Sequence, residues 1–234
     1  MKIHRVLLKV SGEFLMGDRE FGLDVGTIDR IAREVKRVYD SGYEICIVVG
    51  GGNIFRGVSG AAYGMHQAAA DNIGMLATIM NAIAFQNSLE KQGVPTRVMS
   101  AIPMPSVCEQ YIRRKAIRHL EKKRIVICAA GSGNPYFTTD TAAILRALET
   151  ECDVLMKATK VAGVYDSDPQ KNPGAIMLKT LSYKDVFDKD IRVMDQTAVT
   201  LAQENKMPIF VFSLEEEGTL EKVLAGNGIC SVIS

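Results

Sequence analysis

Ile125-Val-Ile-Cys-Ala-Ala-Gly-Ser-Gly-Asn-Pro-Tyr-Phe-Thr-Thr-Asp140 is the stretch on which the reading of this chain turns. Its first five residues are an apolar, β-branched run with the character of a short buried strand. The run breaks into two glycines, an Asn-Pro turn, paired threonines and Asp140, which opens a helical pattern. Amides, hydroxyls and one carboxylate are thus gathered at the carboxyl end of a strand, where open α/β sheets bind their ligands. An ordinary strand-to-helix turn with Asp140 as its N-cap would look the same in isolation. The rest of the chain decides between the two.

Working outward, strand-like and helical runs alternate nearly throughout. Residues 3–10, 45–49, 94–100, 153–157, 209–212 and 228–233 are short apolar runs. Residues 24–41 place Ile28, Ile31, Val35 and Val38 at helical spacing, with Asp24 as N-cap and Gly42 as stop. A longer helical pattern over 67–92 runs through Met75, Leu76, Ile79, Met80 and Ile83, and Gly93 closes it. Further helices are expected over 107–123, 140–149, 182–189, 195–205 and 216–224, and residues 162–173 form a polar excursion. This alternation predicts an α/β protein, a three-layer αβα sandwich around a mainly parallel sheet. The expected organisation is a single domain over residues 1–234, with an N-terminal lobe of about 1–150 and a C-terminal lobe of about 151–234.

Composition narrows the function classes. The 234 residues carry a formal net charge of +1, which gives no footprint for nucleic acid or an anionic membrane. The start, Met1-Lys-Ile-His-Arg-Val6, has no signal-peptide core, and no run is expected to reach the length of a membrane span. The five cysteines, Cys46, Cys108, Cys128, Cys152 and Cys230, lack Cys-x-x-Cys spacing. Cys46, Cys128 and Cys230 fall in strand-like runs, so buried free thiols and a reducing cytoplasm are expected. Three scattered histidines argue against a built-in transition-metal site.

Two other strand ends carry chemistry. Lys9-Val-Ser-Gly12 closes the first strand and offers a positive charge and backbone donors to an anion. A snorkelling surface lysine is the plainer reading of Lys9 alone. The second strand ends in Gly50-Gly-Gly-Asn-Ile-Phe-Arg-Gly57, where glycines permit close backbone approach and Arg56 can fork onto phosphate oxygens. A purely structural glycine turn is the alternative there. No Gly-x-x-x-x-Gly-Lys-Ser/Thr occurs, and no Gly-x-Gly-x-x-Gly follows the first strand, so neither a P-loop nor a dinucleotide fingerprint is present. In a parallel sheet the three strand ends share one edge. Convergent lysine, arginine, glycine amides and a carboxylate describe a phosphoryl-transfer site.

With these residues in view, the chain resembles the amino acid kinase superfamily, and within it the bacterial UMP kinases, over essentially its whole length. The resemblance rests on Leu8-Lys-Val-Ser-Gly-Glu13, Gly50–Gly57, Ala70-Asp-Asn-Ile-Gly-Met-Leu-Ala-Thr78 and Gly131–Asp140. It continues in Lys157-Ala-Thr-Lys-Val-Ala-Gly-Val-Tyr165 and Val193-Met-Asp195. It implies an amino acid kinase-like fold and transfer of the ATP γ-phosphoryl to UMP, with magnesium arriving on ATP and no all-protein metal site. Lys9, Asp140 and Arg56 would be the catalytic set.

The resemblance implies further roles residue by residue. Lys9, Val10, Ser11 and Gly12 would contact ATP, Gly52 and Arg56 would face its phosphates, and Thr159, Tyr165 and Asp168 match adenine-nucleotide residues. Gly51, Asp71, Ser132, Gly133, Asn134, Pro135, Tyr136, Phe137, Thr138 and Thr139 would hold UMP. Read without the resemblance, Asp71 is a first-turn helix carboxylate and Tyr165 a half-buried packing residue. Asp140 could cap its helix, hold magnesium through water or orient Lys9. The orienting role is assigned, because a UMP phosphate is already an anionic nucleophile and needs no strong base.

Where relatives in the superfamily place a second catalytic lysine, this chain has Arg192-Val-Met-Asp-Gln-Thr197, which leaves Lys157 and Lys160 as alternatives. His66 stands near a position where relatives often show arginine. The resemblance also implies a homohexamer activated by GTP and inhibited by UTP, with Gly17, Asp18, Arg19, Glu20, Phe21 and Gly22, plus Arg97 and Arg124, as GTP contacts. By charge pattern alone, the basic residues of 113–124 read as a solvated helix face. The apolar excess of 73–89 predicts a subunit interface. Rival readings are a carboxylate or carbamate kinase of the same fold, and a non-catalytic nucleotide- or oxoanion-binding protein.

Overall fold

The computed structural model describes residues 2–55, 64–191 and 193–234; the expectations for Arg56, Gly57 and Arg192 lie outside the described residues. Its centre is β1 (Arg5–Val10), a strand whose residues beyond Arg5 are all buried. β1 pairs in parallel with β2 (Glu44–Val49) on one side and β6 (Val154–Thr159) on the other. Beyond β2 lie β5 (Ile125–Ala129), β3 (Thr96–Ser100) and β4 (Glu109–Gln110). Beyond β6 lie β10 (Ile209–Ser213), β11 (Ser231–Ile233) and β9 (Thr180–Leu181). Every pairing in this nine-stranded sheet is parallel except β10 with β11. Double-sided burial is why these strands read as continuous apolar runs without alternation.

Helices cover both faces. α1 (Gly12–Leu15), α2 (Val25–Asp40), α3 (Gln67–Lys91) and α8 (Thr219–Leu224) pack on one core. α4 (Arg113–Glu121), α5 (Thr139–Glu149), α6 (Tyr183–Asp188) and α7 (Gln196–Glu204) pack on the other. The three-layer α/β sandwich stands as expected. Strand alternation then sorts the lysines. Val6, Leu8 and Val10 of β1 and Val154, Met156 and Ala158 of β6 face the first core. Leu7 and Leu155 face the second, so Lys9 and Lys157, of the same parity, lie on the α5 face.

Several expectations need correction. The helix expected over 107–123 starts only at Arg113, because Glu109–Gln110 bridge to Met99 and Ser100 as β4. The polar excursion contains β7 (Val164–Tyr165), which pairs antiparallel with β8 (Met177–Leu178) in a separate small sheet. Cys230 is half-buried and precedes β11, whereas Cys46, Cys128 and Cys152 are buried. α3 has 25 residues and is long and apolar enough, by length and composition, to cross a membrane, contrary to the expectation that no run reaches that length. Met75, Ile79, Ala82, Phe85 and Leu89 bury one side of it in the first core. Its other side exposes Ile73, Leu76, Met80 and Ile83.

Candidate active site

Asp140 lies in the first turn of α5. It is not the cap: the Thr138 hydroxyl accepts from the amides of Asp140 and Thr141 at 3.1 and 3.3 Å. That corrects the N-cap reading and frees the Asp140 carboxylate for other partners. Its Oδ1 lies 2.8 Å from Lys9 Nζ and its Oδ2 2.7 Å from Lys157 Nζ. The two lysines are register neighbours on β1 and β6. Burial works to raise the Asp140 pKa, but the charges of Lys9 and Lys157 outweigh it and hold the carboxyl below its ordinary 3.8. Burial lowers the Lys157 pKa below 10.5, aided by the Lys9 charge and opposed by Asp140. Lys157 also donates to the Val193 carbonyl. One carboxylate thus holds two ammonium groups side by side, leaving net positive charge at the sheet edge.

The glycine loop is built against this cluster. A Cβ on Gly12 would lie 2.9 Å from Gly50 O and from Gly52 N, and one on Gly50 2.9 Å from Gly12 N. The first two strand ends therefore touch backbone to backbone. A Cβ on Gly51 would meet Gly74 O at 2.7 Å, so the loop also abuts α3. At least these glycines serve close packing, as the structural alternative held. Asn53 and Asn81, both buried, bond to each other, and Asn81 Nδ2 donates to Gly50 O at 2.6 Å. This amide pair pins the loop to α3 and has no local signature in the sequence.

Between the glycine loop, the start of α3 and the segment after β5 opens a cleft. Gly51, Gly52, Asp71, Gly131, Ser132, Asn134, Phe137 and Thr139 line it. Phe55, Ala70, Gly74, Met75 and Thr78 line it as well and, like Gly131, were not foreseen as site residues. Residues 130–136 are unusually bent: Ala130, Gly131, Gly133 and Tyr136 have φ of 60, 56, 83 and 70°. Left-handed backbone at Ala130 and Tyr136 persists only where surroundings over-determine it. Here Thr78 Oγ1 accepts from the Ala130 amide at 2.8 Å and Asp71 Oδ2 from the Tyr136 amide at 2.8 Å. Asp71 thus carries a structural bond to the loop in addition to facing the cleft.

A second pocket lies beside β6 and the small sheet, lined by Thr159, Gly163, Tyr165, Asp168, Ile191 and Val193 among others. Between it and the glycine loop runs a polar channel lined by Lys9, Ser11, Glu13, Lys157, Thr159 and Lys160. Two pockets therefore flank one positively charged strand edge, an arrangement able to hold two anionic ligands with their charges facing each other.

A model of the amino acid kinase family matches residues 4–213. The chain belongs to that family. A uridylate kinase of Paramagnetospirillum magneticum is 60% identical over 233 residues, covering 100% of this chain and 97% of the relative. A uridylate kinase of Rickettsia prowazekii is 58% identical over 228 residues, covering 97% and 94%. Among solved structures, a UMP kinase from Bacillus anthracis superposes with a TM-score of 0.96 at 38% identity, over 100% of this chain and 97% of that one. One from Ureaplasma parvum gives 0.94 at 34% identity, with full coverage of both. These uridylate kinases and UMP kinases match the chain over nearly its whole length.

In this family member, not every foreseen residue converges. Val10 is fully buried and offers only its backbone, and Ser11 caps α1. Gly52, expected toward the ATP phosphates, lines the same cleft as Gly51 and not the pocket of Thr159, Tyr165 and Asp168. Gly133 backs onto Ala101, and Thr138 turns away to Asp195, which also accepts from Thr141 Oγ1 at 2.8 Å. Pro135 and the exposed Tyr136 lie in the same loop outside the cleft lining. Of the foreseen GTP contacts, residues 17–22 sit at the glycine loop, where Gly22 and Asn53 exchange bonds of 2.7 and 2.8 Å. Arg97 and Arg124 lie together at the opposite sheet edge, linked through Glu109 and His119. His66 caps α3, its Nδ1 accepting from the Ala68 amide.

Proposed function

We propose that this protein transfers the γ-phosphoryl group of ATP to UMP, giving UDP and ADP. The observation that carries the reading is the Lys9–Asp140–Lys157 cluster between two pockets, in a chain matched end to end by uridylate kinases. UMP occupies the cleft of Gly51, Asp71, Ser132 and Asn134, and ATP the pocket of Thr159, Tyr165 and Asp168. An oxygen of the UMP phosphate attacks the γ-phosphorus as the bond to the bridging oxygen of ADP breaks. Lys9 and Lys157 offset charge on the transferring group, and Asp140 keeps both ammonium groups placed without accepting a proton. Arg56 belongs to the same proposal as a further phosphate contact.

Magnesium would arrive bound to the ATP phosphates, where it would supply positive charge, and no all-protein carboxylate site would be needed to hold it. Both Asp140 oxygens already face lysines, and Lys9, Lys157 and Lys160 outnumber Glu13 along the channel, which suits phosphate oxygens. The protein acts as a homo-oligomer in a reducing cytoplasm, supplying UDP for UTP and CTP synthesis, with GTP activating and UTP inhibiting. The free Cys46 and Cys128 thiols, 3.6 Å apart, fit that compartment, and the exposed face of α3 fits assembly. Kinetics unchanged across a GTP titration would remove the activation claim. Turnover of UMP in a coupled ADP-release assay tests the reaction itself, and glutamate or carbamate turnover in its place would overturn it.

A further inference from the structure

Arg146 is a buried arginine on α5, 5% exposed, that lines neither pocket. Its guanidinium stacks 4.0 Å from the centroid of the Tyr111 ring. Nη1 pairs with Glu149, whose Oε2 also accepts from the Tyr111 hydroxyl at 2.7 Å. Nη2 donates to the Gly131 carbonyl at 3.2 Å, and Nε is buried without a hydrogen-bond partner among the described residues. An arginine that leaves one donor unsatisfied while stacked and forked is held for the bonds it does make.

Gly131 lies in a left-handed bend that lines the cleft. Ala130 and Gly131 are both left-handed, and the Gly133 amide closes the turn on Ala130 O at 2.9 Å. Among the described residues, three side chains from outside hydrogen-bond to residues 130–136: Thr78, Asp71 and Arg146. Thr78 and Asp71 line the cleft. Arg146 reaches the loop from behind.

We infer that Arg146, braced by Tyr111 and Glu149, is a positioning residue for the acceptor nucleotide. It fixes Gly131, and through it Ser132 and Asn134, in the bend that receives UMP. The inference rests on the UMP reading above. A lysine keeps the charge but cannot stack flat and fork between Glu149 and Gly131.

The test compares wild type, Arg146→Lys and Tyr111→Phe by steady-state kinetics and by hydrogen exchange of the 130–136 amides. Arg146→Lys is expected to raise the UMP KM about tenfold and leave the ATP KM within about twofold, with exchange in 130–136 accelerated and that in β1 unchanged. Tyr111→Phe, which keeps the stacking ring and removes the bond to Glu149, shifts the UMP KM the same way by about threefold. It also serves if Arg146→Lys folds poorly. An unchanged UMP KM, or UMP and ATP KM values rising together, overturns the assignment. A wild type that turns over no UMP refutes the acceptor reading instead, and exchange in 130–136 that is unaltered by Arg146→Lys then refutes the positioning role separately.

Discussion

Asp140 is the residue that joins the two lysines of the proposed transfer site. Removing its charge leaves two buried ammonium groups facing each other, a change worth about 3–5 kcal/mol in stability for a buried pair. Asp140→Asn is therefore expected to lower kcat by about a hundredfold or more while changing the UMP KM little. A rise in KM alone would place Asp140 in binding and not in transfer. The carboxyl pKa is held below 3.8 in the fold, so the stabilisation is complete above the unfolded value and is lost as pH falls through the lower folded one. Urea denaturation from about pH 6 to about pH 3 should show an acid limb that shrinks in Asp140→Asn. An identical limb in both proteins would contradict the pairing. Lys9 and Asp140 were legible because each closes or follows an apolar run. Lys157 was left level with Lys160, although strand parity separates them: Lys157 shares Leu155's face and Lys160 is exposed beyond the strand end.

At the scale of elements, the glycine loop and α3 form one unit. A methyl group on Gly51 has backbone at 2.7 Å and Ala77 Cβ at 3.0 Å to displace, so Gly51→Ala should cost about 1–3 kcal/mol and widen the cleft. Unaltered stability and UMP KM would show that α3 gives way freely. On the outer side of α3, Ile73, Leu76, Met80 and Ile83 recur at helical spacing and are exposed. Met80→Glu should shift sedimentation toward smaller species, whereas a wild-type monomer would remove the proposed assembly. The apolar excess of this helix was visible in sequence. Its division into a core side and an outer side was not, because apolar residues surround the helix and blur its periodicity. The Asn53–Asn81 lock was equally hidden, since it joins residues distant in sequence through side-chain amides.

Across the whole molecule, parallel pairing brings the ends of β1, β2, β5 and β6 to a single edge, and the chemistry follows from that convergence. Strand and helix runs were readable because double-sided burial makes strands continuously apolar. The two-residue strands β4, β7, β8 and β9 were not, being too short to carry a period. The cleft was half legible: its loop residues form a dense motif, while Gly74 and Thr78 face it only through the packing of α3 against the sheet. On the proposed reading, acceptor choice depends on elements distant in sequence acting together. ADP release measured with UMP, CMP, dUMP, glutamate and carbamate as competing acceptors tests this most directly. Turnover selective for UMP is the expected result. Turnover of glutamate or carbamate with none of UMP would contradict the account.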